Sequence, residues 1–259
     1  MFYEHDARNL SVRLDGLFSG LKPVKPCRVV ISPHAGYEYS GRTAAHAIAA
    51  LKPAKRFFVI GPNHTGSGQE FSVMSSGSWR TPLGSCPVDA GLASALRECR
   101  FVSEDSRAHA REHSIEVQLP LLQHRFRSFS FAPLCIMGMD YSMSLLGKCE
   151  DIGKAVAAAA KSEGAGVIAS SDFSHYLPRE IAAGKDSAAI RQIMKMSGAG
   201  LFRELEKTEG SVCGFAAIAV AISAAKELGL RPELLHSSSS GDVTGDYRSA
   251  VTYHAIGFR

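Results

Sequence analysis

Short runs of β-branched and aromatic residues recur along the chain, and each stops at a residue that ends a strand. "RVVIS" occupies 28–32, "RFFVIG" 56–61, "FSFAPLCIM" 129–137 and "GVIASS" 166–171. They are too short for buried helices and read as strands. Alanine-rich stretches with helical spacing lie between them. "RTAAHAIAAL" (42–51) stops before Pro53, and "PVDAGLASALREC" (87–99) carries Asp89 as a cap. "SLLGKCEDIGKAVAAAAKSEG" (144–164) and "GFAAIAVAISAAKELG" (214–229) both stop at glycine. Residues 180–209 hold one or two helices, and 66–88 reads as a hairpin excursion. "ELLHSS" (233–238) and "SAVTYHAIGF" (249–258) close the chain as strands. Strands that alternate with helices need crossover connections. The expected fold is therefore one three-layer α/β domain over 1–259. Its central sheet is largely parallel or mixed, with helices on both faces. Open sheets of this kind bind ligands beyond the carboxyl ends of their strands, so the site is expected there.

The strand ends repeat a theme. "VVISPHAGYEYSG" leaves its strand at Pro33 and delivers His34 ahead of Gly36. "FFVIGPNHTG" leaves at Pro62 and delivers Asn63 and His64 ahead of Gly66. "VIASSDFSHY" delivers Asp172 and His175, and "ELLHSSSSGDVTGD" delivers Asp242 and Asp246. If these strands are neighbours, two histidines, an Asp–His pair and an acidic loop share one crevice. Histidine is the commonest metal ligand and also a common hydrogen bonder, so one strand-end histidine alone reads as a turn residue as readily as a ligand. Cys213 precedes the long apolar stretch, with Ser211 as a candidate cap. A helix N-terminus favours the thiolate, the form that binds metals. Taken alone, a cysteine such as Cys213 is more often a small buried hydrophobe than a ligand.

Bulk properties exclude several classes. A formal charge of +4 with no basic run leaves no electrostatic footprint for nucleic acid. "MFYEHDARNL" carries charge where a signal peptide needs an apolar core, and "GFAAIAVAISAA" is too short to span a bilayer. Cys27, Cys86, Cys99, Cys135, Cys149 and Cys213 contain no C-x-x-C pair, which suits reduced thiols in a cytoplasm. His109, Glu112 and His113 form H-x-x-E-H, a zinc-peptidase pattern if it lies on a helix. Glu112 and Glu116 read equally as a first-turn acidic pair. "SSDFSH" lacks the G-x-S-x-G of a nucleophile elbow. His5, His46, His124, His236 and His254 are expected to be surface or satisfied residues.

"SPHAGYEYSG", "GPNHTG", "EHSIEVQLPLL", "SSDFSHY", "VCGFAAI" and "SGDVTGDY" together resemble the Memo family, in family order from about residue 32 to 247. That family is in turn similar in fold to the class III (LigB-type) extradiol ring-cleaving dioxygenases. The resemblance implies one α/β domain with its site in a cleft. It implies His34 and His64 as metal ligands with Cys213 in the third position, and His175 as acid/base accompanied by Asp172. It further implies Tyr37, Asn63, Glu112, His113 and Asp242 as contacts to a substrate. A cysteine stands where the ring cleavers carry a carboxylate. That replaces hard oxygen by soft sulfur, so the expected cofactor is Fe(II) or copper, with zinc also compatible. The implied activity is redox or oxygen-linked, on an unidentified small molecule or peptide, with a functional link to a radical-SAM enzyme. The alternative from another class is a non-enzymatic module that holds a peptide or small ligand in the same cleft.

Overall fold

A computed structural model of the chain describes residues 2–259. The first elements are α1 (Ala7–Phe18), β1 (Val29–Ser32), α2 (Gly41–Ala50) and β2 (Arg56–Pro62). Next come β3 (Phe71–Val73), β4 (Ser78–Thr81), β5 (Gly84–Pro87), α3 (Ala90–Arg97) and β6 (Ser103–Glu104). A single 3-10 turn at Ser106–Ala108 leads to α4 (Gln118–Phe126), β7 (Ser130–Ile136), α5 (Met143–Glu163) and β8 (Gly166–Ser170). The remainder is α6 (Arg179–Met194), α7 (Gly198–Thr208), α8 (Phe215–Glu227), β9 (Pro232–Ser239), α9 (Gly241–Thr244) and β10 (Thr252–Phe258).

Eight strands form one sheet in the order β6-β3-β7-β2-β8-β1-β10-β9. Its centre, β7-β2-β8-β1, is parallel; β10 runs antiparallel to both β1 and β9, and β3 antiparallel to β7. The sheet is therefore mixed, and the domain is a single three-layer α/β unit as the alternation of elements requires. Successive side chains on a strand point to opposite faces. Val29, Ile31, Phe58 and Ile60 accordingly enter one core, with α3, α5, α7 and α8. Val30, Phe57 and Val59 enter the other, with α1, α2 and α4. Both faces are covered, which is why these strands are apolar without alternation. Phe215 to Ala225 on α8 are all buried. A helix apolar all round is explained by burial on every side, here by the sheet and α5.

Within 66–88, β4 and β5 form the expected hairpin, whereas β3 joins the main sheet. Residues 180–209 resolve into two helices. Among the described residues no helix is long and apolar enough to cross a membrane. Ser142 caps α5, its hydroxyl accepting from the Leu145 N–H at 3.2 Å. Ser142→Ala is expected to cost about 1 kcal/mol, read as a lower urea midpoint at unchanged slope.

Candidate metal centre

Three neighbouring parallel strands, β2, β8 and β1, end on the same side of the sheet. Proline follows β1 and closes β2, so each strand hands its histidine to a loop. The His34 N–H donates to Asp172 Oδ1 at 2.8 Å, tying the loop after β1 to the loop after β8. Asn63 shapes the next loop. Its Oδ1 accepts from the N–H groups of Thr65 and Gly66, and its Nδ2 donates to Ser67 O. The turn at 112–114 completes the set. It rests against the end of β2, where a Cβ on Gly61 would lie 2.4 Å from Ser114 Oγ. Glycine at 61 permits that approach.

His34, His64 and His113 each offer a ring nitrogen, and the three atoms lie within 4.8 Å of one another. His34 is buried, His113 half-buried and His64 exposed, so the group opens to solvent on one side. Burial first, then the neighbouring His64 and His113, hold His34 well below the ordinary histidine range. Burial also lowers His113, against the pull of Glu112. Neutral imidazole is the form that binds metal.

The surroundings fix which nitrogen is free. Ser170 has one hydroxyl proton, and it goes to Ser114 O at 2.7 Å. Its oxygen must then accept from His34 Nδ1 at 2.9 Å, leaving His34 Nε2 with its lone pair. Gln118 secures the arrangement from below. It donates to Ser170 Oγ and Pro33 O at 2.9 Å and accepts from Ser32 Oγ at 2.8 Å. Glu112 does the same for His64. It is buried and accepts from the His64 N–H (2.5 Å), His64 Nδ1 (3.0 Å), the His113 N–H (2.9 Å) and the Ser114 N–H (2.8 Å). Burial raises its carboxyl, but hydrogen bonds from the His64 ring and the Ser114 and His64 N–H groups outweigh that and hold it at about 2. An ionised carboxylate on Nδ1–H leaves His64 Nε2 free. Such outer partners are typical of metal-binding histidines. The donors therefore fit a transition metal.

Cys213 adjoins the group, with Sγ 3.2 Å from His34 Nε2 and accepting from the Asp172 N–H at 3.2 Å. A Cβ on Gly214 would meet Ser170 O at 2.2 Å, so glycine at 214 lets the start of α8 reach β8. Burial and the nearby Asp172 carboxylate push the Cys213 thiol well above its ordinary value. That reverses the thiolate expected from a helix start. The residue precedes the first helical position by two, and desolvation outweighs any dipole. Asp172 is itself buried, which raises its carboxyl. His175 sits nearby, held through Nδ1 to Ser211 O at 2.8 Å.

Two other expected contacts are hydrogen-bonded within the fold. Tyr37 is buried and donates to Val117 O at 2.7 Å, so its hydroxyl is committed to the fold. Asp242, on α9 beside the edge strand, accepts from the Ser239 N–H at 2.7 Å and from the Tyr247 hydroxyl at 3.1 Å. β9 is separated from β1 by β10, so the acidic loop follows a strand two places from the one that delivers His34. The peptidase pattern fails on geometry. Residues 109–111 form a turn and 112–113 are irregular, all ahead of α4, so the i, i+4 facing of a helix does not apply. His109 is buried edge-to-face against Trp79 at 5.7 Å and takes no part in the histidine group. His113, in contrast, joins the imidazoles and stacks on Phe2 at 4.3 Å. Ser114, Gln118 and Ser170 had no individual signal in the sequence.

A mixed three-layer sheet with histidines gathered at its parallel strand ends defines an α/β protein with a candidate metal centre. Residues 1–257 match the model of the Memo-like protein family, and the chain belongs to that family. A MEMO1 family protein of Methanopyrus kandleri is 42% identical over 244 residues, covering 90% of this chain and 84% of the relative. One from Methanosarcina barkeri is 41% identical over 261 residues, covering 98% and 96%. An uncharacterised protein from Escherichia coli has a similar fold, with a TM-score of 0.62 at 12% identity over 88% of this chain and 98% of that one.

Proposed function

We propose that this Memo-family protein is a metal-dependent redox or oxygen-linked enzyme. His34 and His64 hold the metal through Nε2. Cys213, as thiolate, or His113 completes the set. The observation that carries this reading is that both Nδ1 atoms are engaged, by Ser170 and by Glu112, which turns the Nε2 lone pairs of two edge-to-face rings toward one site, that of His34 within 3.2 Å of Cys213 Sγ. Imidazole with sulfur suits iron, copper or zinc over magnesium. A bound iron or copper supplies Lewis acidity and electron transfer. The chain's own residues do the rest. Glu112 and Ser170 orient the imidazoles. Asp172 holds the loop of His34, and its buried carboxyl, with His175, stands beside the centre as the proton-transfer pair. The substrate is a small molecule or peptide that enters from the open side at His64. The similarity in fold to ring-cleaving dioxygenases and the link to a radical-SAM enzyme belong to the same proposal.

Anaerobic loading with Fe(II) or Cu(I), followed by elemental analysis, is expected to give about one metal per chain. His175→Ala should keep that stoichiometry. Protein that takes up no metal yet binds peptide unaffected by chelator would instead be a binding module.

A further inference from the structure

On the α6 face of the sheet, far along toward its β9 edge, three side chains from three elements form a line. Ser237 Oγ lies 2.8 Å from His254 Nδ1, and His254 Nε2 lies 3.1 Å from Asp186 Oδ2. Ser237 and His254 are directly opposed across β9 and β10, so they share a face. The strand's alternation sends His236 and Ser238 the other way, to Thr43 on α2. Burial is graded along the line. Asp186 is 3% and His254 9% exposed, while Ser237 faces solvent. Asp186 is fixed by its other oxygen, which accepts from the Ser174 hydroxyl at 2.7 Å and N–H at 3.2 Å. Phe173 packs edge-to-face on His254 at 4.6 Å, shielding it from water. A cavity of about 310 Å³ opens on the group, its walls including Arg179, Ile190, Leu234 and Asp242.

A carboxylate on Nε2 holds the proton there and leaves the Nδ1 lone pair for the serine hydroxyl. That is the division of roles in a serine nucleophile with its base and orienting acid, recognised by geometry and not by chain order. A hydrogen bond needed only to pin α6 to the sheet requires neither an exposed serine nor a cavity over it. We propose that Ser237, His254 and Asp186 form a second reactive site, separate from the histidine cluster, which accepts carboxylic esters. Ser237 Oγ attacks the carbonyl carbon while its proton passes to His254 Nδ1. The C–O bond to the alcohol then breaks, and the alcohol leaves with that proton. Water, deprotonated by His254, cleaves the acyl-serine to the free acid and restores the hydroxyl. Arg179 is the cation in the cavity wall available to the developing oxyanion.

The test is fluorophosphonate labelling of the full chain in the presence of chelator, with the modified residue located by mass spectrometry. Ser237 is expected to carry the label, and Ser237→Ala to abolish it. His254→Asn should slow labelling by about a hundredfold or more, since it removes the general base. Ser238→Ala, whose hydroxyl faces α2, should label at the parent rate. Hydrolysis of p-nitrophenyl acetate should follow the same order. Parent protein that is unlabelled at Ser237, or a folded His254→Asn that labels like the parent, overturns the proposal. Should His254→Asn not fold, the distribution of label in the parent decides. Label confined to Ser237 supports it; label spread over 237–240 means ordinary exposed hydroxyls and refutes it.

Discussion

His34→Ala and His64→Ala proteins, loaded anaerobically with Fe(II), are expected to bind it at least about a hundredfold more weakly than the parent. Loss of an outer partner alone costs 10- to 100-fold in such sites, so loss of a ligand atom should reach or exceed that. Each variant removes one free Nε2 and leaves the other in place. His64 is exposed, so its replacement should not disturb the fold, and circular dichroism would verify that. The third position is resolved by comparing His113→Ala with Cys213→Ser. The ring nitrogen of His113 lies with those of His34 and His64, whereas Cys213 approaches from the His34 side at 3.2 Å. The variant with the larger loss identifies the ligand. If His34→Ala and His64→Ala both bind Fe(II) like the parent, the centre does not lie here. Metal uptake through Cys213 should also release a proton, because its thiol is held protonated without one.

Glu112→Ala is expected to destabilise the fold by about 1–3 kcal/mol in urea titrations, the range for leaving buried hydrogen-bond donors without their acceptor. Four donors converge on this carboxylate, and alanine strands those from His64, His113 and Ser114 together. The parent should also show the carboxylate in its acid profile. Its carboxyl sits at about 2 in the fold against 4.5 for the ordinary group. A depressed value stabilises above the unfolded value and is lost as pH falls. Stability on the order of 3 kcal/mol should therefore disappear between about pH 4.5 and 2. Glu112→Ala should be correspondingly flatter over that window. A variant as steep as the parent would show that other carboxylates carry the acid response.

The strands that bear the centre were legible because burial on both faces writes itself as unbroken apolar runs. His34, His64 and Asp172 were legible because each follows such a run directly. What escaped was set by contacts between distant segments. Ser170 and Gln118 lock His34 across a sequence separation of 52 residues from one another, and though each lies in a family block, nothing in those blocks joins the two to His34. His113 was read with His109 at helical spacing, but α4 begins only at Gln118. Periodicity cannot reveal strand order, so the place of β10 between β1 and the strand that precedes Asp242 has no trace in the sequence. α1 left no apolar run since only Leu10 and Leu14 are buried on it. His254 and Asp186 lie 68 residues apart, so their pairing has no local trace.

The position of β1 bears on how the protein is made. Val29 pairs with Val167 on one side and with Phe258 on the other. Closing such long loops carries an entropic cost before any contact rewards it, so sheets of this order fold slowly. During synthesis the strand that positions His34 emerges well before β10 and lacks that neighbour until β10 leaves the ribosome. A nascent chain halted before β10 presents the edge of β1 to other chains, a setting for misassembly. Recombinant yield should therefore rise with slower, cooler expression.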